Sequence, residues 1–156
     1  MTLATDLFEP RRTRALRWTA AAVLVAAAHI GCTALALLHW QDDPSHPDYA
    51  VVRQIRAVLE QATDAAGRSL EIIELPAPDT LQDEDGFVDW NYANHLVVNG
   101  GVIACGYGEA DADSRAAGIL GEAYGRDVVT IDARPILQRG GGIHCITQQQ
   151  PASNAR

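Results

Sequence analysis

The chain has 156 residues, with 12 basic residues, all arginine, against 20 Asp and Glu, for a formal net charge of −8 at pH 7. That length has room for one modest domain, and the charge excludes phosphate-backbone binding, which needs clustered cations; no nucleic-acid partner is expected. Three cysteines, Cys32, Cys105 and Cys145, are too few and too widely spaced for a disulfide framework or a zinc site.

Arg11, Arg12, Arg14 and Arg17 precede a run from Trp18 to Trp40 that holds no Asp, Glu, Lys or Arg and many Ala, Leu and Val. An uncharged run of that length is expected to cross a bilayer as a helix, with Trp18 and Trp40 at the interfaces. Arginines before it, and Asp42 and Asp43 after it, orient a single-pass protein with residues 1–17 cytoplasmic, a transmembrane helix over 18–40 and residues 41–156 outside. Ala26-Ala27-Ala28 could mimic a signal-peptide cleavage site but sits in the middle of the run. His29 lies near mid-span, where a polar side chain faces a partner helix or water, or is tolerated neutral in a simple anchor. An arginine cluster followed by an Ala-rich span with one histidine resembles the amino-terminal anchor of TonB-type energy transducers.

Beyond the run, Val51, Val52, Ile55, Val58, Leu59 and Ala62 recur at helical spacing, which predicts an amphipathic helix from Asp48 to about Ala66 closed by Gly67. Leu70 to Leu75 reads as a strand ended by Pro76 and Pro78, and Asp79 to Gly86 as an acidic loop. Tyr92 to Asn99 and Val102 to Cys105 read as two strands around an Asn-Gly turn. A helix over Asp113 to Tyr124, a strand over Asp127 to Asp132 and a last strand over Ile143 to Gln148 complete an α/β order with no internal repeat visible in the residues.

The strongest chemical signal is the run Gly140-Gly141-Gly142-Ile143-His144-Cys145-Ile146-Thr147-Gln148-Gln149-Gln150-Pro151. Glycines permit positive φ and close approach of backbone to other groups, so three of them before a thiol describe a loop that leaves room for a small molecule with a nucleophile at its rim. This block resembles the active-site cysteine segment of the agmatine deiminase family, guanidine-hydrolysing enzymes related to the Porphyromonas-type peptidylarginine deiminases. Asp42-Asp43-Pro44, Leu75-Pro76-Ala77-Pro78, Gly86-Phe87-Val88-Asp89, Tyr92-Ala93-Asn94-His95, Asn99-Gly100-Gly101 and Ile131-Asp132-Ala133-Arg134-Pro135 are similar to that family in the same order, from about Gln41 onward.

The resemblance implies the carboxy-terminal third of such an enzyme: about two blades of a pentein-type five-bladed α/β propeller, preceded here by the transmembrane helix. It implies hydrolysis of agmatine to N-carbamoylputrescine and ammonia with no metal or organic cofactor, with Cys145 as the nucleophile and Gly140, Gly141 and Gly142 shaping the substrate pocket. The family's catalytic His and Asp and its guanidinium-binding carboxylates belong to earlier segments without a counterpart here, so the chain alone is expected to be inactive. A partial ring would expose apolar faces and call for a second chain to complete it.

Several tempting residues are set aside. His144 adjoins Cys145 but would point to the opposite face of a strand, and His46-Pro47-Asp48 matches a connecting loop of the family. Asp89, Asn94, Asp132 and Arg134 read as loop and turn structure, Cys105 as strand packing, and Gln148, Gln149 and Gln150 as structural or capping residues. The alternative function is a non-catalytic membrane-anchored interaction module.

Overall fold

The computed structural model describes residues 23–24, 34–84, 86–137, 141–148 and 150. Residues Ala34–Trp40, which the sequence reads as the last two turns of a membrane helix, form strand β2. Strand β1, Val23–Leu24, pairs antiparallel with it, and β3, Leu70–Pro76, pairs parallel along its whole length from Ala34↔Leu70 to Trp40↔Pro76. β2 is therefore the centre of a three-stranded sheet. Leu37 is 1% exposed and Leu38 0%, although consecutive strand residues point to opposite faces, so both faces are covered.

A strand buried on both faces needs no polar residue on either side, and its continuous apolar run cannot be told from a buried or membrane helix by periodicity. That ambiguity misled the reading of residues 34–40 as the end of a membrane helix. No helix among the described residues is long and apolar enough to cross a membrane. The predicted transmembrane helix, the single-pass topology and the membrane-anchored module are corrected accordingly. Arg11, Arg12, Arg14, Arg17, His29 and Cys32 lie outside the described residues.

Helix α1, Asp48–Leu59, stops earlier than its apolar spacing suggests. Asp64 accepts the backbone N–H groups of Ala66 and Arg68, and its carboxylate also pairs with the Arg68 side chain. Those local side-chain bonds turn the chain where Ala-rich sequence would otherwise continue helical. α1 then returns the chain to β3, with Arg56 bonded to Glu74 across the join.

The acidic loop carries a two-residue hairpin, β4 (Gln82–Asp83) with β5 (Gly86–Phe87). A second unit follows. β6, Leu96–Val98, turns through Asn99-Gly100 into β7, Gly101–Gly106, and the two pair antiparallel. Helix α2, Ala110–Tyr124, leads to β8, Asp127–Asp132, which pairs parallel with β7 from Gly101↔Asp127 to Gly106↔Asp132. The short helix α3, Arg134–Leu137, follows.

Strand, antiparallel strand, helix and parallel strand thus occur twice in one order. The repeat escapes the sequence because it lives in topology: β2 is Ala-Leu-Ala-Leu-Leu-His-Trp, whereas β7 is Gly-Val-Ile-Ala-Cys-Gly. The two units share a core. α2 packs on β3 of the first sheet as well as on β7 and β8, and Leu37 and Leu75 join Tyr92, Val102, Cys105, Ala116 and Leu120 in a single buried cluster. Small side chains at Ala112, Ala116 and Ala123 recur along one face of α2, where they let it lie close to both sheets. The outer sheet is less covered, with Val129 on β8 61% exposed.

His39, near the end of β2, is buried, and its Nδ1 has no hydrogen-bond partner among the described residues. Burial, helped by nearby His46, lowers its pKa from 6.5 to about 4. Between those values the unfolded chain holds a proton that the folded chain refuses, so stability falls as pH drops through that window. Chemical unfolding of the full chain is expected to show about 3 kcal/mol of acid destabilisation from this residue between pH 7 and pH 4. His39→Leu should remove that part of the slope; an unchanged slope would show that His39 does not carry it.

Candidate active site

The segment before β6 is held rigidly. Tyr92 is fully buried and its hydroxyl donates to the Asp113 carboxylate at 2.7 Å. The same carboxylate accepts the backbone N–H groups of Tyr107, Gly108 and Glu109, which fixes the entry to α2. Tyr107 stacks on Trp90 with ring centroids 5.0 Å apart, and its hydroxyl donates to Asn91 O at 2.8 Å. His95 lies buried between Tyr92 O and the Tyr124 hydroxyl, and burial depresses its protonation. These contacts leave Asn94, between buried Ala93 and His95, with little freedom.

Asn94 is where the glycine-rich loop lands. Its Oδ1 accepts the backbone N–H of His144 at 2.8 Å, and its Nδ2 donates to Cys145 Sγ at 3.3 Å. A Cβ on Gly142 would sit 2.6 Å from Asn94 Cγ, so any side chain there would displace the carboxamide. Gly141 has φ +87°, and a Cβ on it would lie 3.0 Å from Cys145 Cβ. Glycines at 141 and 142 therefore clear space for the site's own side chains. Gly140 lies outside the described residues.

Cys145 does not stand on a strand. His144–Ile146 form a 3₁₀ turn, closed by Cys145 N–H to Gly142 O at 3.1 Å and Thr147 N–H to His144 O at 3.3 Å. The alternation of Ile143, His144, Cys145 and Ile146 fits a strand equally well. What decides for the turn is the anchoring of His144 N–H on Asn94 and the burial of Ile143. The strand argument against His144 falls with the strand, but successive residues of a 3₁₀ turn still point about 120° apart. The His144 imidazole lies close enough to His95 to oppose its protonation.

The thiol of Cys145 is exposed, whereas Cys105 is 1% exposed and donates to Asn94 O at 2.9 Å. Burial pushes the Cys105 thiol up, away from the reactive form. The other singled-out residues lie apart from Cys145 in role. His46 is buried edge-on to Phe87, and its Nδ1 accepts the Asp48 N–H. Asp89 accepts the Asn91 side chain through its backbone carbonyl. Asp132 and Arg134 form a two-bond ion pair at 2.8 Å that holds the Asp132 carboxyl below its usual range. Gln149 lies outside the described residues. A cavity of about 500 Å³ between the two units, bordered by Trp40, Asp42, Glu74, Asp79 and Arg115, does not include Cys145 in its lining.

Asn94 is the functional candidate that reading by residue type missed. A lone Asn near a turn ordinarily signals only the turn, and 50 residues separate it from the loop it organises.

Two strand–strand–helix–strand units presenting an exposed thiol on a glycine-lined turn define an α/β repeat protein of the pentein type. The chain belongs to the Porphyromonas-type peptidyl-arginine deiminase family, whose model matches residues 26–151. That match begins inside the run read as an anchor, and nothing found supports the likeness to energy transducers.

A relative from Streptomyces avermitilis, provisionally named an agmatine deiminase, is 46% identical over 118 residues, 75% of this chain and 34% of the relative. The agmatine deiminase of Stutzerimonas stutzeri is 41% identical over 139 residues, covering 77% and 38% respectively. Among solved structures, the agmatine deiminase of Enterococcus faecalis superposes with a TM-score of 0.67 at 26% identity, over 75% of this chain and 37% of that one. The chain spans about a third of the length of the first of these relatives.

Proposed function

We propose that this chain carries the nucleophile-bearing part of an agmatine deiminase site, with Cys145 attacking the guanidinium carbon of agmatine. The observation that carries the reading is the exposed Cys145 thiol, set on a glycine-lined turn and bonded by Asn94. The Cys145 thiolate forms a C–S bond to the guanidinium carbon, and the amino group leaves as ammonia once a general acid has protonated it. Water, deprotonated by the same group, then adds to that carbon. The C–S bond breaks, N-carbamoylputrescine departs and the thiolate is restored. The acidic charge of the chain suits a cationic substrate.

Among the described residues no carboxylate or imidazole is hydrogen-bonded to Cys145 Sγ; in this reading the acid–base group and the carboxylates that clamp the guanidinium are supplied by the rest of the assembled site. Val98, Val129 and Ile131, exposed on the outer sheet, offer apolar surface for a second chain that completes the ring.

The test is a chimaera in which residues 34–150 of this chain replace the matching segment of the Stutzerimonas stutzeri enzyme. It is expected to form N-carbamoylputrescine from agmatine, as read by mass spectrometry. A chimaera that is folded by circular dichroism yet inactive would overturn the reading.

A further inference from the structure

Cys105 is a nucleophile that the reaction proposed above leaves idle, and it lies beneath the site. Asn94 touches both cysteines: its backbone carbonyl accepts the Cys105 thiol at 2.9 Å, and its Nδ2 donates to Cys145 Sγ at 3.3 Å. The two sulfurs therefore stand a single residue's width apart. The glycine-lined turn also reaches Cys105 directly, because the backbone N–H of Ile143 lies against its sulfur, with the Tyr107 hydroxyl beside it. Charge on Cys145 opposes charge on Cys105, a second sign that the thiols are close. A cysteine that only fills a core behaves as a small hydrophobe among apolar neighbours. This one is buried among polar groups next to an exposed thiol.

We propose that Cys105 is the resolving thiol of Cys145: once hydrogen peroxide has oxidised the exposed sulfur, the buried one closes a disulfide with it. In the first step the Cys145 thiolate attacks a peroxide oxygen, the O–O bond breaks, and the departing hydroxide takes a proton to become water. Cys145 is left as a sulfenic acid. In the second step the Cys105 sulfur attacks the sulfenic sulfur. The S–O bond breaks, the hydroxide leaves with the Cys105 proton as water, and the electron pair given up by the thiols has reduced the peroxide. Exposure divides the work. Cys145 meets solvent and oxidant, while Cys105, 1% exposed, is kept from both and stays reduced until a sulfenic acid forms beside it. Closing the bond gives up the Cys105 hydrogen bond to Asn94 O and shifts the turn, where Gly141 at φ +87° and Gly142 carry no bulk to obstruct it. The disulfide masks Cys145 yet is undone by a thiol reductant, whereas a sulfinic acid is not. Nothing in this chemistry depends on agmatine as substrate.

The experiment treats the full 156-residue chain, as an equal mixture of isotope-labelled and unlabelled protein, with hydrogen peroxide. Remaining thiols are then blocked and peptides mapped without reduction. The expected main product is a peptide pair linking Cys105 to Cys145 within one isotope class, lost on treatment with dithiothreitol. Dimedone added with the peroxide should divert part of it to a sulfenic adduct on Cys145. Cys105→Ser keeps the size and the donor for Asn94 O but cannot resolve. At the same peroxide dose its Cys145 should carry at least about tenfold more dimedone adduct than the parent, or more sulfinic acid when dimedone is left out. A parent chain whose Cys145 stays reduced, goes to sulfinic acid without the linked pair, or links only across isotope classes or to Cys32 overturns the proposal, whether or not the variant folds. So does a folded Cys105→Ser chain oxidised like the parent. The readouts are thiol masses and stand apart from turnover: a chimaera inactive on agmatine sinks the catalytic reading alone, whereas an absent disulfide sinks only the resolving role.

Discussion

Cys145→Ser is expected to abolish agmatine turnover in the chimaera, while Cys105→Ser leaves it within a few-fold of the parent. A serine hydroxyl at the same place stays protonated at neutral pH, and removing a covalent nucleophile is typically felt as at least about three orders of magnitude in kcat. The two cysteines are close in space but opposite in circumstance. Cys145 is exposed on its turn with an N–H donor at the sulfur, and Cys105 is sealed in the core with its thiol spent on Asn94 O. Cys105→Ser retains a donor for that carbonyl, so the anchor of Asn94 survives. The opposite pattern, loss with Cys105→Ser and retention with Cys145→Ser, would overturn the assignment.

Leu37→Ala and Leu38→Ala are each expected to destabilise the full chain by about 2 to 5 kcal/mol in urea unfolding, the range for deleting a buried leucine side chain. Domains of ordinary stability have about 5 to 15 kcal/mol in total, so the double variant should be largely unfolded at room temperature. The pair is informative because the residues are neighbours. Leu37 packs in the shared core and Leu38, equally buried, faces the other side of β2. Val129→Ala, at an exposed position on β8, should cost under about 0.5 kcal/mol and serves as the control. If only one of the two leucines mattered, β2 would be an edge-like strand with a single covered face, and the account of why its sequence lacks polar residues would fail.

Different parts of the molecule were legible to different degrees. β3 and β8 were readable from short apolar or β-branched runs between turn residues, and the Asn99-Gly100 turn from its dipeptide, because those signals are local. α1 was placed correctly at its start and too far at its end, since Asp64 captures backbone N–H groups from a turn that periodicity cannot weigh. Residues 34–40 were misread because hydrophobicity records burial and not what does the burying. Within the site, the glycines and Cys145 stood out by composition. Asn94 did not, because its meaning depends on a loop that returns to it from the far end of the fold.

The sequence by itself determined the class of elements, the thiol on its glycine-rich loop and, through a dozen consecutive matching positions, the family. Each of these is written in residues adjacent along the chain. Only the tertiary structure decided that Ala34–Trp40, the end of the apolar run, is a central strand, that two units of unlike sequence share one topology, and that Asn94 holds the turn and the sulfur together. Those facts depend on which surfaces cover one another, and pairing of distant segments leaves no local period to read.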